Sequence, residues 1–132
     1  MAEAIFNKLA HQDGISNQII VTSAGTKDWD IGLRPDHRTR QLLQAHGYPL
    51  DPNKRAHQIT SQEIETSDYI TAMSRRVAGE LGYCANVHLL LGFVKDIESK
   101  DIPDPYPSNT FPQAFTLIEK GVKAFYDFLQ PQ

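Results

Sequence analysis

The 132-residue chain has one cysteine, Cys84, which excludes an internal disulfide framework and any metal site built on several thiolates. A reducing cytoplasm is the expected home. No apolar run approaches the ~20 residues that a membrane-spanning helix needs, and no charged segment followed by an apolar one marks a secretory leader. Positive charge is not in excess either: the formal net charge is −3, so nothing draws the molecule as a whole to nucleic acid or to an anionic membrane. Any anion must be held locally. There is no internal repeat and no low-complexity tract. The five histidines, His11, His37, His46, His57 and His88, are scattered without ligand spacing and read as surface or helix-end residues, so no metal and no cofactor is implied.

What the chain does have, at 40% apolar residues, is enough for one core and one domain spanning residues 1–132. Ile5, Phe6 and Leu9 recur at helical spacing over Ala2 to Ala10, and Asp13-Gly14 ends that helix. Ile19-Ile20-Val21 is a short β-branched run opening into Thr22-Ser23-Ala24-Gly25-Thr26, the pattern of a buried parallel strand that ends in a loop. Pro35 at a helix start, Leu42 and Leu43 inside and Gly47 as stop predict a second helix. Thr60 with Glu63 fits a capping box. Asp68 to Met73 reads as a strand, Ser74 to Leu81 as a helix stopped by Gly82, and the apolar run Val87 to Val94 as another buried strand. A loop rich in Asp, Pro and Ser follows from Lys95 to Asn109. Phe111 to Leu129, with Phe115, Ile118, Val122, Phe125, Tyr126 and Leu129 on one stripe, is an amphipathic helix.

This order of elements implies an α/β fold, a parallel sheet covered by helices on both faces in three layers. Such a sheet normally starts with a strand, and this one starts with a helix. In α/β proteins the N-terminus of the first helix is the usual phosphate site, because free backbone N–H groups and the helix dipole both favour an anion. Near the other end, Asp104-Pro105-Tyr106 places a carboxylic acid, fixed by proline, beside an aromatic ring, which suits a general acid that protonates a leaving phenol or alcohol.

Five segments together carry a resemblance: Met1 to Leu9, Ser23-Ala24-Gly25-Thr26, Trp29-Asp30-Ile31-Gly32 with Pro35-Asp36-His37-Arg38, Asp68 to Met73, and Pro103-Asp104-Pro105-Tyr106. In order and spacing the chain resembles the low-molecular-weight protein tyrosine phosphatases over essentially its whole length. The resemblance implies a flavodoxin-like phosphatase fold lacking its first strand, since members of that family open with a central strand and a Cys-x5-Arg-Ser loop. The thiolate of that loop attacks phosphorus, and its N–H groups and arginine hold the phosphoryl oxygens. Here the match begins after the loop, so the chain reads as an N-terminally truncated member. Cys84 does not replace the nucleophile, because Leu90 stands where the arginine would be and no arginine follows Cys84 at all.

By the same resemblance Asp104 is the general acid and base, Trp29 and Tyr106 are aromatic walls of the substrate mouth, and Ser23 is a strand-end serine supporting the phosphate loop. The expected ligand, once that loop is restored, is a phosphotyrosine protein or a small aryl phosphate. Two departures stand out: Pro107 where the family often has a second aromatic, and Ser74 where an acidic residue often follows the strand-end methionine. Three readings compete. The first is a phosphatase whose catalytic segment lies upstream of Met1, the second a non-catalytic pseudophosphatase that binds a partner. The third is a thioredoxin-coupled arsenate reductase of the same fold, which the single cysteine disfavours.

Overall fold

The computed structural model describes residues 1–104 and 110–130. Among these, five α-helices surround a short parallel sheet: α1 (Ala2–Gln12), α2 (His37–Ala45), α3 (Ser61–Thr66), β1 (Ile70–Ala72), α4 (Arg75–Glu80), β2 (Val87–Leu89) and α5 (Phe111–Leu129). A 3-10 turn (Leu90–Phe93) follows β2 directly. β1 and β2 pair in parallel, with Thr71 opposite His88.

The core lies between the two ends of the chain. α1 lays Ile5 and Phe6 against α5, where the Phe6 ring meets Phe125 at 5.8 Å and Tyr126 edge-on at 5.4 Å. Tyr126 donates its hydroxyl to Asp13 at 2.5 Å, just past the end of α1. α2 adds Leu43, and Tyr48 beyond it packs near Phe115 and donates to Glu119. Gly121 of α5 allows close approach of the 3-10 turn. A Cβ there would lie 2.7 Å from Leu90 Cγ and 3.4 Å from Leu91 Cδ2.

Helix ends follow the sequence signals closely. Thr60 and Glu63 form the full capping box of α3, Ser74 accepts from Val77 N–H to open α4, and Gly82 leaves α4 at φ +82°. The N-cap of α2 is Asp36, which accepts from Arg38 N–H, so Pro35 precedes the helix instead of starting it.

Two strand expectations fail. Ile19-Ile20-Val21 is not a strand: residues 19–24 make no backbone hydrogen bond among the described residues, and Ile20 is 94% exposed. A β-branched run supplies propensity, but a strand exists only when another strand satisfies its N–H and C=O groups, and none of the described residues does so here. The run Val87 to Val94 is a strand only as far as Leu89. Beyond it Leu90 and Leu91, consecutive residues that are both 1% exposed, have to bury on one side against Gly121. A strand would send them to opposite faces, so the chain coils.

Candidate active site

The carboxyl end of β1 anchors the segment that carries Asp104. Met73, the residue after β1, accepts from Ile102 N–H at 2.8 Å, and Asp101 takes both the backbone N–H and the guanidinium of Arg75 at the start of α4. The Arg75 guanidinium holds the Asp101 carboxyl below its ordinary range. With Ile102 buried, Asp104 two residues on is exposed beside the strand end, the usual position for function in an open parallel sheet. Tyr106 lies outside the described residues.

Trp29 is 79% exposed at the tip of a loop spanning residues 25–33. Both ends of the loop are bonded to residues 56–59. Gly25 N–H donates to His57 O at 2.9 Å and Ile59 N–H to Gly25 O at 2.8 Å, while Gly32 N–H donates to Ala56 O and Ala56 N–H to Leu33 O. A cleft of about 220 Å³ opens beside the indole, lined by Thr26, Lys27, Trp29, Ile31, Ala56 and His57. Lys27 leaves the cleft to pair with Glu80 at 2.7 Å.

His57 is the residue that sequence reasoning missed. Its Nε2 donates to Glu63 Oε2 at 3.0 Å, and the other Glu63 oxygen accepts from Thr60 N–H in the capping box. The hydrogen bond from His57, followed by that from Thr60 N–H, holds the Glu63 carboxyl below the usual carboxylate range. The pair joins an irregular segment to the first turn of α3, so no single periodicity links the two residues and the sequence gives no local signal.

Ser23 is exposed and makes no hydrogen bond among the described residues. Trp29 is held through residues 56–59 and Asp104 through the Ile102–Met73 bond. Cys84 sits in the turn ahead of β2, where its Sγ faces Leu81 O at 3.3 Å and its carbonyl accepts from Val87 N–H. It therefore lies at the amino end of the sheet, whereas Asp104 follows the carboxyl end.

A family profile described as low molecular weight phosphotyrosine protein phosphatase matches residues 1–132. The chain belongs to that family. It is 34% identical over 138 residues to the low molecular weight protein-tyrosine-phosphatase YfkJ of Bacillus subtilis, a match covering 100% of this chain and 88% of that protein. It is 32% identical to low molecular weight protein-tyrosine phosphatase A of Mycobacterium tuberculosis, covering 98% and 82% of the two chains. The crystal structure of YfkJ superposes with a TM-score of 0.92 over 98% of this chain and 84% of that one, at 33% identity. A phosphatase from Vibrio cholerae superposes with a TM-score of 0.85 at 31% identity, covering 99% and 88%. The α/β architecture of this family is thus the architecture of the chain.

Proposed function

We propose that the chain is the acid-and-aryl-wall part of a phosphotyrosine monoesterase that acts through a cysteinyl-phosphate, and that these 132 residues alone do not turn over substrate. The carrying observation is the pairing of family membership with the sole cysteine at the wrong end of the sheet. Asp104 protonates the tyrosyl oxygen as the P–O bond breaks and then takes a proton from the attacking water; Trp29 and Tyr106 flank the aryl ring, and Ser23 supports the phosphate loop. The nucleophile and the anion cradle come from a strand and Cys-x5-Arg loop outside these residues, delivered at the start of α1. There Met1 provides no side-chain cap for the helix. The substrate is a phosphotyrosine protein or a small aryl phosphate.

The chain as it stands is expected to hydrolyse phenyl phosphate esters no faster than background, because a general acid worth about 10²–10⁴-fold cannot offset a missing nucleophile and oxyanion cradle. Turnover that survives Cys84→Ala and vanishes with Asp104→Asn contradicts this. Adding an upstream β-branched strand and a Cys-x5-Arg-Ser loop is expected to produce hydrolysis. Asp104→Ala should then slow esters of poor leaving groups most, since those need the proton early. An equal, small effect on every leaving group removes Asp104 from the acid role. The same single-cysteine observation supports a second reading, a pseudophosphatase that binds a phosphorylated segment without turnover; a stop codon immediately upstream of Met1 favours it.

A further inference from the structure

Residues 25–33 leave and re-enter one short stretch of chain, and that stretch is the only backbone anchor of the loop among the described residues. Ala56, His57 and Ile59 contribute the four main-chain bonds that close it, and Gln58 Nε2 adds a fifth contact to Thr26 O at 3.2 Å. Within the loop, only the turns from Ile31 N–H to Asp28 O and from Leu33 N–H to Asp30 O hold its shape. The clasp residues must themselves be fixed for the loop to be fixed. Their side-chain link to the rest of the molecule is His57 to Glu63, and Glu63 is already immobilised by the α3 capping box.

We infer that His57 is a positioning residue for the aromatic wall: through Glu63 it sets where residues 56–59 lie, and through their backbone bonds where Trp29 stands. The inference rests on the reading of Trp29 as the wall of the substrate mouth. One side chain controls both ends of the loop at once, because the His57 carbonyl bonds Gly25 while the adjacent Ala56 bonds Gly32 and Leu33. The Lys27–Glu80 ion pair tethers the loop a second time, but from one side only and through a flexible side chain that is half exposed. Its loss shifts the tip, whereas loss of the His57 contact frees the base.

Amide hydrogen exchange followed by NMR tests this on the chain as it exists. With His57→Ala, the amides of Gly25, Gly32, Ala56 and Ile59 are expected to exchange about tenfold faster, the equivalent of one net hydrogen bond. The amides of Ile70, which bonds Asn86 across the sheet, and of Ile102, which bonds Met73, should stay as they are. The single tryptophan gives one indole N–H signal, and its heteronuclear NOE should fall as the tip gains picosecond-to-nanosecond freedom. His57→Gln, which keeps a donor for Glu63, should restore both readouts. Thr60→Ala, which removes the hydroxyl that caps α3 but keeps the residue-60 backbone N–H that holds Glu63 Oε1, should leave the four amides near their wild-type rates. Unchanged protection in His57→Ala overturns the inference, as does equal acceleration at Ile70 and Ile102 or an equal effect from Thr60→Ala. No ligand enters the measurement, so its outcome is separate from whether Trp29 meets an aryl ester.

Discussion

Two stretches of similar length meet opposite fates. Residues 111–126 bury Phe111, Ala114, Phe115, Val122 and Tyr126, each 5% exposed or less, while residues 19–34 leave Ile20, Trp29, Ile31 and Leu33 more than half exposed. Both stretches contain large apolar side chains. The difference lies in the partner surface: α5 has α1, α2 and the Leu90–Phe93 turn to close on, whereas in the 19–34 stretch Ile19 and Val21 reach the core and the loop beyond them rests on the four-residue strip 56–59 along its backbone. Burial is therefore a property of complementary surfaces more than of hydrophobic residues taken singly.

The comparison sharpens first in the core. Phe115→Ala should cost about 3–5 kcal/mol and Leu90→Ala about 2–5 kcal/mol, read as a drop in the denaturation midpoint at unchanged slope. Gly121→Ala is the more telling change. In an exposed helix it would add up to ~1 kcal/mol of stability. Against Leu90 it should instead destabilise by about 1–3 kcal/mol through overpacking. A stabilised Gly121→Ala protein would show that the α5 seam is looser than its geometry implies.

Next comes an alkaline limit on the same region. Burial, aided by Glu119 and Asp13 respectively, pushes the hydroxyls of Tyr48 and Tyr126 up from 10.0 to about 12. Because the folded state holds these protons more tightly than the unfolded chain, their contribution is complete below pH 10 and lost as pH rises toward 12. Denaturant midpoints should be flat at neutral pH and fall across that window. Tyr48→Phe with Tyr126→Phe should flatten the fall, at a cost of roughly 1 kcal/mol each at neutral pH. A fall of the same steepness in the double variant assigns the alkaline loss to other groups.

The smallest effect is expected in the exposed stretch. Ile20→Thr should change stability by no more than about 0.5 kcal/mol, since the side chain is in solvent. It should nonetheless reduce binding of a hydrophobic dye and slow aggregation, because an unpaired β-branched segment is a template for intermolecular pairing. A cost above ~2 kcal/mol would mean that Ile20 is buried in solution.

The helices were legible because their signals are local: the apolar stripes of α1 and α5, the capping box at Thr60 and Glu63, the glycine after α4. The failures share one physical origin. Ile19-Ile20-Val21 has the composition of a strand, but composition does not record whether a partner strand is at hand. The run from Val87 to Val94 is ambiguous by periodicity, and the notch at Gly121, thirty residues away, decides that Leu90 and Leu91 coil. Of the site, Trp29 and Asp104 were nameable through the resemblance, and the structure exposes both, Asp104 beyond the sheet's carboxyl end and Trp29 at a loop tip. His57 was passed over as one of five scattered histidines, since its meaning comes from what its backbone and ring hold in space.

The contact between α1 and α5 has a consequence for how the protein is made. Ile5 and Phe6 are synthesised well before the surface that covers them, centred on Phe125 and Tyr126. At about 5–20 residues per second, roughly 6–25 s pass between the synthesis of the first helix and that of its partner. Throughout that interval the nascent chain displays the core face of α1 uncovered, so its yield in a cell should depend on chaperone capacity during translation more than on the stability of the finished fold.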